Sequence, residues 1–301
     1  MDSAFITRAP GVAVIVRDER TIQFGLDAAR AGLIAVGDAA AVAAVLRRHG
    51  PNSAVGIEAL TAELTDAGIT RPAAEHLVQE FLDYGLWTVS SPAPRVALYG
   101  QSPLADSLAE ALHADGTQVI RPRLIRPDAE LPATMPLVLV DVLDEALEVS
   151  TTLVHSGLPR TWLPVTGLDT RVLAGPLHRA GRGPCLLCLN LYRTALDPLW
   201  PRLVHDIRGQ WPAADQQVLA AATSHVVIAL RALTGRSPLP GATPVRWMPG
   251  ELHEIDPFGT THQRFYEPHP RCPACFGTTI ENPFVKSDAD ANDDAASSDN
   301  A

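Results

Sequence analysis

Four cysteines, and no others, stand in this chain as Cys185-Leu-Leu-Cys188 and Cys272-Pro-Ala-Cys275. A C-x-x-C turn places two thiolates within reach of one ion, and two such turns complete a tetrahedral sulfur shell around zinc at roughly 2.3 Å per bond, with no open position for substrate. The spacing therefore predicts a structural zinc site made of Cys185, Cys188, Cys272 and Cys275. Two other chemistries use the same residues. Disulfides would need an oxidising compartment, and the start MDSAFITRAP has neither a basic nor an apolar segment for export. A redox dithiol would need one pair and leave the second unexplained.

The knuckles must be turned by what flanks them. Gly181, Gly183 and Pro184 precede the first, while Pro270, Pro273 and Gly277 surround the second. Between them lie 83 residues, so the site ties two distant segments together. His269, three residues before Cys272, is a candidate spare ligand or a donor to the ligand sulfurs. His113, His155, His178, His205 and His225 stand in no nucleophile motif and read as surface or satisfied core residues. Trp200 and Trp211 read as packing anchors.

At 301 residues the chain is long for one core and favours two domains. The net charge of -10 is unevenly spread, at about -4 over residues 1–91, -1 over 92–280 and -5 over 281–301. A nearly neutral body lacks the electrostatic footprint of a nucleic-acid binder. No apolar run approaches the length of a membrane span, so a cytoplasmic protein is expected.

Residues 1–90 read as one domain of mixed α and β structure. Val12, Val14 and Val16 alternate before a turn at Arg17-Asp18-Glu19-Arg20, Ile22 and Phe24 alternate after it, and Leu33-Ile34-Ala35-Val36 makes a third short strand. Asp38 is placed to cap a helix to Arg48; a second carries Ile57, Leu60 and Leu64, and a third opens with Arg71-Pro72 and carries Ala74, Leu77, Val78 and Phe81. Leu86-Trp87-Thr88-Val89 closes the unit, and the order is that of a winged helix. Its third helix carries Glu75, Glu80 and Asp83, the wrong sign for a major groove. The strand at 33–36 is short and apolar and reads as a free edge, so the expectation is that an extended peptide adds to it as another strand.

After a linker at residues 91–94, a second domain of α/β type spans 95–280. Arg95-Val96-Ala97-Leu98-Tyr99-Gly100 reads as a strand and a helix follows through Leu104, Leu108 and Leu112. Val119-Ile120, the run Leu137-Val138-Leu139-Val140 and Thr161-Trp162-Leu163-Pro164-Val165 give further strands, with a helix over 144–156. An apolar run of this kind belongs in a parallel sheet covered on both faces, and the order predicts a Rossmann-like sheet. Two helices, 189–208 and 213–234, and a hairpin, 251–256 with 260–267, complete the domain. Residues 281–301, rich in Asp, Ser, Ala and Asn, read as a disordered acidic tail.

Such a sheet with paired knuckles late in the chain resembles the E1-like family of ThiF and MoeB. Residues 183–203, Gly-Pro-Cys-Leu-Leu-Cys-Leu-Asn-Leu-Tyr-Arg-Thr-Ala-Leu-Asp-Pro-Leu-Trp-Pro-Arg-Leu, with His269-Pro-Arg-Cys-Pro-Ala-Cys, resemble one branch more closely. It is the cyclodehydratase-associated ThiF-like protein of thiazole/oxazole-modified microcin (bacteriocin) biosynthesis, the TOMM class of RiPP. The resemblance covers nearly all of the chain before the tail. It implies an N-terminal PqqD-like RiPP recognition element whose third strand (Leu33, Ile34, Ala35, Val36) and third helix (Leu77, Val78, Phe81) grip a precursor leader peptide, and a YcaO-type cyclodehydratase as partner. A homodimer is an assembly open to such a protein.

An active E1-like adenylyltransferase uses a glycine-rich loop after the first strand, an acidic residue for the ribose and a basic residue at the phosphates. Here the loop reads Gly100-Gln101-Ser102-Pro103-Leu-Ala-Asp106; the second strand is followed by Arg121-Pro-Arg123, and the sheet domain has no lysine. Pro103 removes an amide that would face a phosphate. The expectation is a degenerate nucleotide loop, no use of ATP and no catalytic residue of the chain's own. The alternatives are an active adenylyltransferase and a scaffold or regulator acting alone.

Overall fold

The computed structural model describes residues 4–27, 32–51, 53–90, 92–126, 131–156, 159–209, 215–236, 246–258 and 260–275. The chain divides into two units, residues 1–94 with 228–246 and residues 95–227 with 247–301.

In the first unit β1 (Phe5–Arg8) lies between two later strands, and β2 (Val14–Val16), β3 (Thr21–Phe24) and β4 (Gly32–Ala35) form a separate antiparallel sheet in that order. Asp38 caps α1 (Ala39–Arg48) by accepting from the Ala41 amide at 2.9 Å. β5 (Val55–Gly56) leads into α2 (Ile57–Asp66), and α3 (Arg71–Asp83) has proline in its first turn. Gly68 and Gly85 adopt positive φ just past α2 and α3. β6 (Trp87–Val89) pairs with β1, which pairs with β5 on its other side. The sequence reading has no strand at β1 or β5, because Phe5-Ile-Thr-Arg is too short for its alternation to stand out.

The core of this unit joins both sheets to the three helices. Ile22 and Phe24 alternate inward from β3 and meet Leu46, Leu60, Leu64, Val78, Phe81 and Trp87. Phe24 meets Phe81 edge to face at 5.2 Å, and Phe81 stacks on Trp87 at 6.5 Å. The apolar stripe expected on the third helix is thus the stripe that packs.

The second unit is built on one mixed sheet, ordered β14-β13-β11-β10-β9-β7-β8. β7 (Arg95–Tyr99), α4 (Pro103–Ala114), β8 (Gln118–Ile120), β9 (Leu137–Val140), α5 (Ala146–Ser156) and β10 (Thr161–Leu168) follow the expected order, and β7, β8, β9 and β10 are mutually parallel. β9 is buried along its whole length, as its uninterrupted apolar run requires.

The sheet does not stay parallel. β11 (Arg171–Ala174) turns back antiparallel against β10 through Asp169 at positive φ, and β12 (His178–Arg179) pairs with the start of β10. Then come α6 (Leu186–Leu196), α7 (Trp200–Asp206) and α8 (Gln216–Leu233), the last containing the division between units, and the hairpin of β13 (Glu251–Ile255) and β14 (Thr261–Phe265). The foreseen hairpin is therefore an extension of the sheet, joined through β11. Asp169-Thr170 carries no glycine or proline, which hides the turn into β11 from a sequence reading. Ser91 of the linker, Trp211 and the acidic tail lie outside the described residues.

Candidate functional site

The four cysteines meet. Cys185 Sγ lies 3.6 Å from Cys188 and 3.5 Å from Cys272, and Cys188 lies 3.6 Å from Cys275. All four are buried, and their sulfurs fall within 4.8 Å of one another. These separations exceed the roughly 2.05 Å of a disulfide. They approach the roughly 3.8 Å between sulfurs that a tetrahedral shell with 2.3 Å bonds to zinc would give. α6 supplies the first pair because Cys185 stands at its N-cap and Cys188 in its first turn.

Electrostatics favour a cation here. Cys188 is held down to about 4, first by hydrogen bonding from Cys185 and then from Cys275, with the His269 amide adding to it. Hydrogen bonding with Cys185 and then with Cys188, together with burial, pushes Cys275 up. Four clustered thiols cannot all ionise beside one another unless a positive charge joins them. His269 serves through its backbone, whose N–H donates to Cys188 Sγ at 3.3 Å, while its Nδ1 accepts from the Arg271 amide at 3.1 Å. The residues thus fit a thiolate-bound metal, with the imidazole of His269 outside the ligand set.

A second feature is a cleft at the C-terminal ends of β7, β8 and β9, of about 800 Å³, lined by Tyr99, Gly100, Gln101, Asp106, Arg121 and Asp141 among others. Open α/β sheets bind ligands at such ends. Several of its polar groups, however, are engaged with one another, while Gln101 and Arg123 also line it. Gly100 has φ +138, and a Cβ there would run into the Val140 carbonyl, so the glycine is required by its close approach to the end of the neighbouring β9. Ser102 Oγ accepts from the Ala105 amide at 3.2 Å as the N-cap of α4 and donates to Asp141 Oδ2 at 2.5 Å. Arg121 donates to the Gly100 carbonyl at 2.8 Å and to Asp106 at 2.6 Å.

Acidic side chains crowd the same cleft. Asp141, with φ 53, is raised above the usual carboxylate range, chiefly by burial, although Ser102 and the Gly167 amide at 2.7 Å oppose the rise. Tyr99 donates to Glu145 at 2.5 Å, and burial with that contact pushes its hydroxyl up. Asp144 and Glu145 also line the opening. Carboxylates facing a phosphate chain would repel it.

The third feature is β4. It ends its sheet, so among the described residues one edge is unpaired. Its register pairs Ile34 with Ile22 and Gly32 with Phe24, both core residues, which puts Leu33 and Ala35 on the outer face. Leu33 and Ala35 are exposed, while Ile34 and Val36 pack against the core. Of the helix residues, Val78 and Phe81 are core, 2% and 1% exposed, and Leu77 lies at 9%. Arg71 bridges to Glu58 of α2, so the flank of α3 opposite that pair carries Leu77 and the exposed Tyr84. Tyr84 follows Asp83 at the C-cap, and an aromatic beyond a helix end has no periodic signal in sequence.

Sequence reasoning missed one network in the second unit. His225 Nε2 meets His253 Nδ1 at 2.7 Å; His253 Nε2 meets Glu251 at 2.6 Å, and Gln263 and the Met248 amide also donate to Glu251. Trp247 stacks on His253 at 4.2 Å. His225 is lowered below its usual range, first by burial and then by His253. His178 stacks on Trp162 at 3.5 Å and donates from Nδ1 to the Gly183 carbonyl, as a satisfied core histidine does.

No family model matches the chain, and no curated protein matches it. Solved structures do. The heterocyclase TruD is 15% identical, with a TM-score of 0.58 over 91% of this chain and 43% of its own. A heterocyclase in complex with substrate and cofactor is 14% identical, with a TM-score of 0.59 over 92% of this chain and 40% of its own. The chain thus spans about two fifths of the length of these heterocyclases. A chain of the E. coli microcin synthetase McbBCD complex with pro-MccB17 bound is 10% identical, with a TM-score of 0.55 over 89% of this chain and 99% of its own. At these identities the likeness establishes a shared fold. Among the described residues no helix is long and apolar enough to cross a membrane.

Proposed function

We propose that the chain binds the leader of a ribosomal precursor peptide along β4 and presents it to a separate YcaO-type cyclodehydratase, which forms azolines in the peptide's core. In this reading the first unit is a PqqD-like winged helix and the second a Rossmann-like E1/ThiF-type domain held by structural zinc. The observation that carries the reading is the unpaired outer edge of β4, an apolar strand whose Ile34 packs against the same core cluster that holds Leu77. Its main-chain groups offer affinity that is largely independent of sequence, and the flank of α3 offers selection.

The hydrogen bonds among the cleft's own residues support a role without adenylation. Ser102 and Arg121, the polar groups nearest the N-terminus of α4, are held by Asp141, Gly100 and Asp106. The likeness to part of a heterocyclase and to a whole chain of a synthetase complex supports placement beside a catalytic partner. Titrating the full chain with the leader of a precursor encoded beside its own gene tests this. Micromolar or tighter binding, weakened about tenfold in Leu33→Pro with the fold retained, is expected; absence of binding overturns the reading.

A further inference from the structure

A groove of about 350 Å³ runs between α5, α6 and α7 in the second unit, and its Asp144 and Arg208 are shared with the cleft at the sheet's end. Leu147 of α5, Leu187 and Leu191 of α6, and Trp200 and Val204 of α7 line it. Leu147 is 59% exposed, so the apolar lining reaches the surface at the groove's edge. The walls are fixed before anything binds. Asn190 donates to the Leu143 carbonyl at 2.9 Å and accepts from Trp200 Nε1 at 3.2 Å, and the Leu187 amide donates to Ser150 Oγ at 3.0 Å. Arg193 covers the Trp200 ring at 4.8 Å. The floor helix is itself anchored at its first turn by Cys185 and Cys188.

The rim has a sign. Around Leu147 the groove and the shallow cleft adjoining it present Asp144, Glu145 and Glu148, against Arg208. Arg208 is taken by Asp144 at 3.1 Å, and Glu145 accepts from Tyr99. Glu148 is exposed and makes no ion pair among the described residues. The walls are helices with no free main-chain edge, so the ligand must be read by side chains.

We propose that this groove docks an amphipathic helix of a partner protein, one whose leucine-sized stripe is flanked by lysine or arginine. The apolar stripe enters between Leu147, Leu191 and Trp200, and the basic flank lies along the exposed Glu148. The inference is independent of the leader-binding reading, since it uses no residue of the first unit.

Two synthetic helical peptides of about five turns test it, both with leucine at i, i+3, i+4 and i+7, one otherwise rich in lysine and the other in glutamate. Fluorescence anisotropy is measured on the full chain at physiological salt. The lysine peptide should bind, the glutamate peptide should not, and Leu147→Ser should weaken binding by about tenfold or more. Glu148→Lys should weaken it severalfold, whereas Phe258→Ser, an exposed apolar change in the sheet hairpin, should leave it unchanged. Equal binding to Leu147→Ser, equal binding of both peptides, or no binding overturns the proposal. So does self-association of the chain that Leu147→Ser abolishes, because a second copy would then be the occupant.

Discussion

The Val36 amide donates to the Arg20 carbonyl at 2.8 Å, and this bond fixes the phase of the exposed strand. The register continues as Ala35 with Thr21 and Ile34 with Ile22, so hydrogen-bonded pairs fall at 36, 34 and 32 and the groups of Leu33 and Ala35 point away from the sheet. Proline substitution therefore separates binding from folding. Leu33→Pro and Ala35→Pro each remove an outward donor and should weaken leader binding about tenfold with little loss of stability, measured by calorimetry and thermal melting. Ile34→Pro deletes a bond to β3 and should unfold the first unit.

One metal ion per chain is expected by elemental analysis, and the proposed ion is zinc, which a closed tetrahedral shell of four thiolates accommodates. Cys188→Ser should lower the melting temperature of the second unit severely and release the metal, because binding and folding are coupled. An apoprotein that melts where the holoprotein does would contradict the site.

Calorimetry with ATP and magnesium should show no micromolar binding, and pyrophosphate exchange should be absent with any peptide. Arg121→Ala frees Asp106 and the Gly100 carbonyl and should not restore either. Robust exchange by the native chain would favour the adenylating alternative.

The histidine pair gives a pH dependence. Burial and His253 lower His225 in the folded chain, so the unfolded chain takes up its proton first as pH falls. Stability should then be flat above about pH 7 and decline below about 6.5, the ordinary imidazole range. His225→Gln keeps a donor for His253 and should flatten that decline relative to the native chain in melts from pH 7.5 to about 5.5.

Much of this was legible in sequence, for physical reasons that differ by element. Asp38, Pro72 and Gly85 mark helix ends through local chemistry, and Leu137-Val138-Leu139-Val140 reports burial on both faces directly. The cysteine spacing carries the metal site because the pairs are themselves local turns. β1 and β11 were not legible, since each owes its pairing to distant partners rather than to its own alternation. The same holds for His225 and His253, which share a bond across 28 residues. Val78 and Phe81 show the converse: their helical spacing announces a buried stripe and does not say whether a ligand or the protein's own Phe24 and Trp87 covers it.

Amide hydrogen exchange on the full chain, with and without the leader peptide of the neighbouring precursor, tests the central claim most directly. Strand addition predicts that the amides of Leu33 and Ala35 become protected on binding, while that of Ile34, already paired with β3, changes little. Binding that leaves Leu33 and Ala35 exchanging as in the free chain would contradict it.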